Sequence, residues 1–223
     1  MKSLTVLLLF ASLLCLQSLI IPQNKMSSLR PKSSIFDVPA GNYTFILDYS
    51  GSMDATFTLS TGEKISRLQY VQSEFEKAAS NFDSRTNFNV IIFTGMGGNL
   101  LWLPDLSSAT PANIQDAIAF TKKYSAFGGA TNIYDPLSAA WIMPDVQSIY
   151  FLTDGLPTVG KLVNPDAIVL DFKARYQIKA ITINTIAFLM GTDPSDNKPA
   201  TKAFAKNFAD ATNGVYRVLE SDN

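Results

Sequence analysis

Histidine is absent from this 223-residue chain, and cysteine occurs once, at Cys15. Without histidine there is no ordinary general base near neutral pH. The Ser-His and Cys-His nucleophile pairs and the usual zinc sites go with it. With Cys15 the lone thiol, the rest of the chain holds neither a disulfide nor a thiolate ligand, and the fold must rely on its core. No block of like charge occurs either. The 18 Lys and Arg and the 19 Asp and Glu are interspersed, which argues against nucleic acid or an anionic membrane surface as partner. The longest apolar run, residues 4–16, is too short for a membrane span.

What is present suits one domain with a large core: 47% of residues are hydrophobic and 17% charged. Lys2 followed by that apolar run reads as a secretory signal peptide over residues 1–18, with the cleavage site open and an uncleaved anchor as the alternative. Leu14 before Cys15 makes a poor lipoprotein site. Residues 19–41, with their prolines, serines and lysines, read as a linker or arm whose Ile35, Phe36 and Val38 are apolar enough to dock. A domain over residues 42–223 follows. Asn42-Tyr43-Thr44 is an N-glycosylation sequon at the start of its first strand.

Within the domain, short apolar β-prone runs alternate with helical spacing. Residues 43–47, 87–93, 147–153, 180–188 and 215–219 read as buried strands, and residues 100–103 as a short antiparallel return. Helical faces recur at Ile65, Leu68, Val71 and Phe75, then at Ile114, Ala117 and Ile118, at Leu137 to Trp141, at Ile168, Val169 and Phe172, and at Phe204 and Phe208. Thr110-Pro111 and Asn164-Pro165 are helix starts, and Asn213-Gly214 is a stop. The alternation predicts a doubly wound α/β fold: a mostly parallel six-stranded sheet with one antiparallel strand and helices on both faces.

Three loops at the carboxyl ends of strands or before helices carry oxygen donors. The first is Asp48-Tyr49-Ser50-Gly51-Ser52, the second Gly128-Gly129-Ala130-Thr131, the third Thr153-Asp154-Gly155. Carboxylate and hydroxyl oxygens are hard donors, suited to Mg²⁺, Mn²⁺ or Ca²⁺. Each loop alone is equally well read as an Asx turn or a helix cap. Gly95-Met96-Gly97-Gly98 lacks the Lys-Ser/Thr of a phosphate loop and reads as a turn. Asp193, Ser195 and Asp196 could rim the metal face but read first as solvated loop residues.

The order, spacing and context of the three loops resemble the von Willebrand factor type A domain and its metal-ion-dependent adhesion site, across residues 41–219. The stretch Phe151-Leu152-Thr153-Asp154-Gly155-Leu156-Pro157-Thr158 is especially similar to secreted members such as the inter-alpha-trypsin inhibitor heavy chains. The resemblance implies a divalent cation, Mg²⁺ first with Mn²⁺ or Ca²⁺ as alternatives. Ser50 and Ser52 would ligate through their hydroxyls, Thr131 directly or through water, and Asp48 and Asp154 would balance charge. It implies no catalytic residue, and as partner a protein presenting an Asp or Glu carboxylate, with homo-oligomers also open. A structural subunit with the metal only stiffening loops, and a metal-assisted hydrolase, are the competing functions.

Two departures from the family pattern carry expectations. The passage from the serines to the first helix, including residues 54–62, is long. It is expected on the rim of the metal face, with Phe57 and Leu59 either meeting a partner or folding back onto the domain. The sequence ends at Asn223, just after the last strand, where switchable members carry a further helix; that helix is not expected here, and Ile35, Phe36 and Val38, or a second copy of the protein, are candidates to cover the strip it would leave.

Overall fold

A computed structural model describes residues 34–95 and 98–220. The leader, most of the arm, and Met96 and Gly97 of the glycine-rich turn lie outside the described residues.

The sheet is centred on β1 (Asn42–Asp48). Phe45, Ile46 and Leu47 are all fully buried because the two faces of the strand are both covered: Phe45 and Leu47 point into one core, Ile46 into the other. That is why the strand reads as a continuous apolar run rather than an alternating one. On one side β1 pairs in parallel with β4 (Asn87–Phe93), on the other with β7 (Ser148–Thr153). Outside β7 lie β8 (Thr182–Leu189) and β9 (Tyr216–Glu220), again parallel. The antiparallel edge beyond β4 is made of two short pieces, β5 (Leu100–Leu101) and β6 (Ser107–Ser108). A separate hairpin, β2 (Thr56–Thr58) with β3 (Lys64–Ser66), occupies the long passage after the serines, where a loop is expected from the sequence.

Helices cover both faces. α1 (Arg67–Ala79) and α2 (Pro111–Lys122) pack on one; α3 (Tyr134–Ile142), α4 (Pro165–Ile178) and α5 (Lys198–Ala211) pack on the other. Side-chain oxygens cap four of them. Ser66 forms a capping box with Gln69, and Thr110, Asn164 and Asn197 accept from Asn113, Ala167 and Ala200 N–H groups. Asn213 takes the left-handed conformation (φ 54°) that ends α5.

Residues 34–38 of the arm lie on the α1 face. Phe36 is buried edge-on against Phe45 and Tyr150, with ring centroids 5.5 and 5.9 Å away, and Ile35 and Val38 pack beside it. Glu74 accepts from the Ile35 N–H at 2.9 Å, and Arg217 donates to the Ile35 carbonyl at 2.8 Å. Phe57 does not face outward. It is buried against Tyr70 and Phe188, and Leu59 packs on the same core, so the fold-back alternative describes this segment.

From β1 the chain runs out to β4 on one side and later returns to β7 on the other. The carboxyl end of β1 is therefore the topological switch point, the place where open α/β sheets form their binding crevice.

Candidate metal centre

Asp48 ends β1 fully buried. One carboxylate oxygen accepts from the Ser50 N–H at 2.8 Å, bending the chain back toward the crevice; the other accepts from the Thr153 hydroxyl at 2.7 Å. Tyr49 points down into the core and donates its hydroxyl to the Thr121 carbonyl at 2.8 Å, pinning the turn to α2. A single 3-10 turn, Gly51–Asp54, then presents Ser52. The Gly51 N–H donates to the Gly128 carbonyl at 2.8 Å, and a Cβ at position 51 would stand 2.4 Å from that oxygen. Glycine here permits the close approach of the first and second loops.

In the second loop, Thr131 is nearly buried. Its N–H donates to the Thr158 hydroxyl at 2.8 Å and its carbonyl accepts from the Thr158 N–H at 2.9 Å. Its hydroxyl does not cap α3, whose N-cap is Ile133 without a side-chain bond. The cap reading of Thr131 therefore fails. In the third loop, Asp154 is buried just beyond β7, next to β1 in register.

These loops meet. Ser50, Ser52, Thr131 and Asp154 line one cleft of about 400 Å³, with Asp48 directly behind the Ser50 turn. Ser50 Oγ lies 3.1 Å from Ser52 Oγ, and Ser52 Oγ lies 2.9 Å from Asp154 Oδ1. Neighbouring oxygens of an octahedral Mg²⁺ shell, each 2.0–2.1 Å from the metal at right angles, are about 2.8–3.0 Å apart. Hydrogen bonds thus hold three oxygens from two loops close together, Ser52 Oγ standing between the other two at distances near that spacing. The donor set, hydroxyls and carboxylates without nitrogen or sulfur, fits the same ions.

No family model matches the chain. It is 31% identical over 138 residues to mouse inter alpha-trypsin inhibitor heavy chain 4, a match covering 57% of this chain and 13% of that protein. It is 27% identical over 171 residues to human von Willebrand factor A domain-containing protein 3B, covering 77% of this chain and 11% of that one. Among solved structures, a von Willebrand factor type A protein from Catenulispora acidiphila aligns with TM-score 0.60 at 18% identity, covering 82% of this chain and 39% of that one. The chain shares the fold of von Willebrand factor type A proteins. It spans only about an eighth of the length of the two curated relatives. An aerotolerance-related membrane protein from Bacteroides fragilis shares the fold, with TM-score 0.57 at 19% identity over 82% of this chain and 92% of its own.

Electrostatically, the cleft is short of positive charge. Burial pushes the Asp48 carboxyl above its ordinary range, against the pull of its Ser50 and Thr153 hydrogen bonds. Burial and the nearby Asp48 raise Asp154 to about 7, although Arg67 and Ser52 both favour its charged form. Two buried carboxylates side by side, only one of them ion-paired, gain from a cation between them.

One group at the cleft goes unnamed in the sequence reading, and two others take more definite roles. Arg67, the first residue of α1, is fully buried. Its Nη1 contacts Asp154 Oδ2 at 2.8 Å, and its fork grips Asp196 at 2.7 and 3.0 Å. Asp196 is therefore not a solvated loop residue; it is an ion-paired wall of the cleft, alongside Asp193 and Ser195. A cation in the first turn of a helix opposes the helix dipole, and that misfit at Arg67 is the signal available in the sequence. Thr153, part of the third loop, serves behind the site: its hydroxyl bonds the rear oxygen of Asp48.

Proposed function

We propose that this type A domain is a secreted, divalent-metal-dependent protein-binding module. Ser50, Ser52 and Thr131 would hold the cation through hydroxyls, with Asp48 and Asp154 balancing charge behind and beside them. A cation held largely by neutral oxygens supplies a Lewis-acidic position whose water a partner's Asp or Glu carboxylate can replace. The observation that carries this reading is that Ser50, Ser52, Thr131 and Asp154, far apart in the chain, line one cleft, with Ser52 Oγ 3.1 Å from Ser50 Oγ and 2.9 Å from Asp154 Oδ1.

The surroundings suit a binding face. Phe127, beside the second loop, is 42% exposed, and Leu156 lines the cleft. Both would offer apolar contact to a partner whose carboxylate reaches the cation. Catalysis has less support: with no histidine, the carboxylates nearest the cation are already committed to Ser50, Thr153, Ser52 and Arg67. Export rests on the leader of residues 1–18. Among the described residues no helix is long and apolar enough to cross a membrane.

The test is capture of partners from native extracellular material by the immobilised protein, with Mg²⁺ and with chelator. Capture in Mg²⁺, lost in chelator and lost in the Ser52→Ala protein, is the expected outcome. Capture indifferent to chelator would instead support a structural subunit whose loops the metal merely stiffens.

A further inference from the structure

Arg67 joins three segments around the cleft. Its Nε donates to the Met190 carbonyl at 2.7 Å, Nη1 reaches Asp154 at the end of β7, and the guanidinium fork holds Asp196 in the loop before α5. Asp196 Oδ2 also accepts from the Asp193 N–H at 2.9 Å, so the far wall of the cleft is built on the same ion pair. The remaining oxygen of Asp154 accepts from Ser52. Arg67 thus stands one carboxylate away from the serine oxygens.

A buried ion pair of this kind is seldom retained for stability alone, since apolar replacements of similar size often do as well. What Arg67 alters is the charge at the crevice. It takes Asp154 Oδ2 and shares itself with Asp196, so Asp154 presents less than a full negative charge to the serines. A more negative site binds a divalent cation more tightly but quenches it, leaving less attraction for an incoming carboxylate. A less negative site does the reverse.

We infer that Arg67 and Asp196 are positioning residues that set the balance between metal affinity and carboxylate affinity at this site. Arg67 lowers the first to raise the second, and Asp196 acts oppositely by drawing the guanidinium away from Asp154. The inference rests on the metal-site reading above and assigns its selectivity to a pair outside the proposed ligands.

The experiment uses the full chain, with Mn²⁺ alone as the first probe and acetate as the second. Mn²⁺ affinity is measured by calorimetry, and acetate affinity of the Mn²⁺-loaded protein by its effect on water-proton relaxation. Arg67→Gln is expected to bind Mn²⁺ about tenfold more tightly and acetate correspondingly less. Asp196→Asn is expected to bind Mn²⁺ more weakly and acetate more tightly, and Arg67→Lys, keeping the charge, to stay near the wild type. A merely structural ion pair predicts that both affinities fall together in Arg67→Gln and in Asp196→Asn, which would overturn the inference. If Arg67→Gln does not fold, the opposed shifts of Asp196→Asn decide alone. Failure of the wild type to bind Mn²⁺ would overturn the metal reading itself, and is read separately from the variants.

Discussion

Replacing Phe36 by alanine tests whether the arm is part of the domain. The side chain is 3% exposed and meets Phe45 and Tyr150 edge-on. Burying a phenylalanine is worth about 1.5–3 kcal/mol, and aromatic pairs of this geometry add roughly 0.5–1.5 kcal/mol. The arm can partly lift away rather than leave a rigid cavity, so we expect a loss of about 3 kcal/mol, at the lower end for Phe→Ala. In a domain of this size each kcal/mol moves Tm by roughly 2–4 °C, so Tm should fall by about 6–12 °C. Urea denaturation should give a lower midpoint with the slope little changed, because almost the same surface is exposed on unfolding. Phe36 is not among the cleft-lining residues, so the Mg²⁺-induced rise in Tm should persist. A Tm within 2 °C or so of wild type would refute the reasoning, since a shift that small corresponds to about 1 kcal/mol or less. The same result in a chain starting at Gly41 would show that the arm does not cover the sheet.

Two further outcomes test the cleft. Mg²⁺ at a hundred times its dissociation constant should stabilise the wild type by about 2.7 kcal/mol, seen as a rise of roughly 5–11 °C in Tm; Ser52→Ala should lose most of that rise while its Tm without metal stays close to wild type, as thermal scans with Mg²⁺ and with chelator would show. Gly51→Ala should cost about 1–3 kcal/mol, because its Cβ meets the Gly128 carbonyl that accepts the Gly51 N–H, and it should weaken Mg²⁺ binding by parting the first and second loops. A Gly51→Ala protein with unchanged stability and unchanged Mg²⁺ affinity would mean that this close approach is not what aligns the loops.

The layout of the fold was legible because its central strands are buried on both faces, and such strands announce themselves as apolar runs. Residues 43–47 and 149–152 are of this kind, and an aspartate follows each within two residues. A carboxylate at the end of a buried strand is costly to desolvate unless something there binds it, so Asp48 and Asp154 could be singled out. The hairpin was not legible. Thr56–Thr58 and Lys64–Ser66 are three residues each, too short for alternation to register. Ile65 also sits at helical spacing from Leu68, which drew it into the helix although it belongs to β3. Asp196 was legible only as a possible rim residue, not as an ion pair: its partner lies 129 residues away, and nothing local distinguishes it from the solvent-facing aspartates of other loops.

That hairpin explains how the long passage after the serines still lets the chain assemble the cleft. Thr56 pairs with Ser66, and the Arg67 N–H donates to the Ala55 carbonyl at 2.9 Å, so the chain returns to the point it left. α1 therefore begins where it would have begun without the excursion, and Arg67 reaches Asp154 unhindered. The inserted strands are also put to use. Phe57 packs on Phe188 near the end of β8, and Gly191, with φ +68°, comes so close to the Thr56 carbonyl that a Cβ would stand 2.6 Å from it. The hairpin thus braces the start of the loop that carries Met190 and Asp196, the two groups that hold the arginine from the other side. An insertion on one side of the cleft and an ion-paired loop on the other are, in this fold, two supports of the same guanidinium.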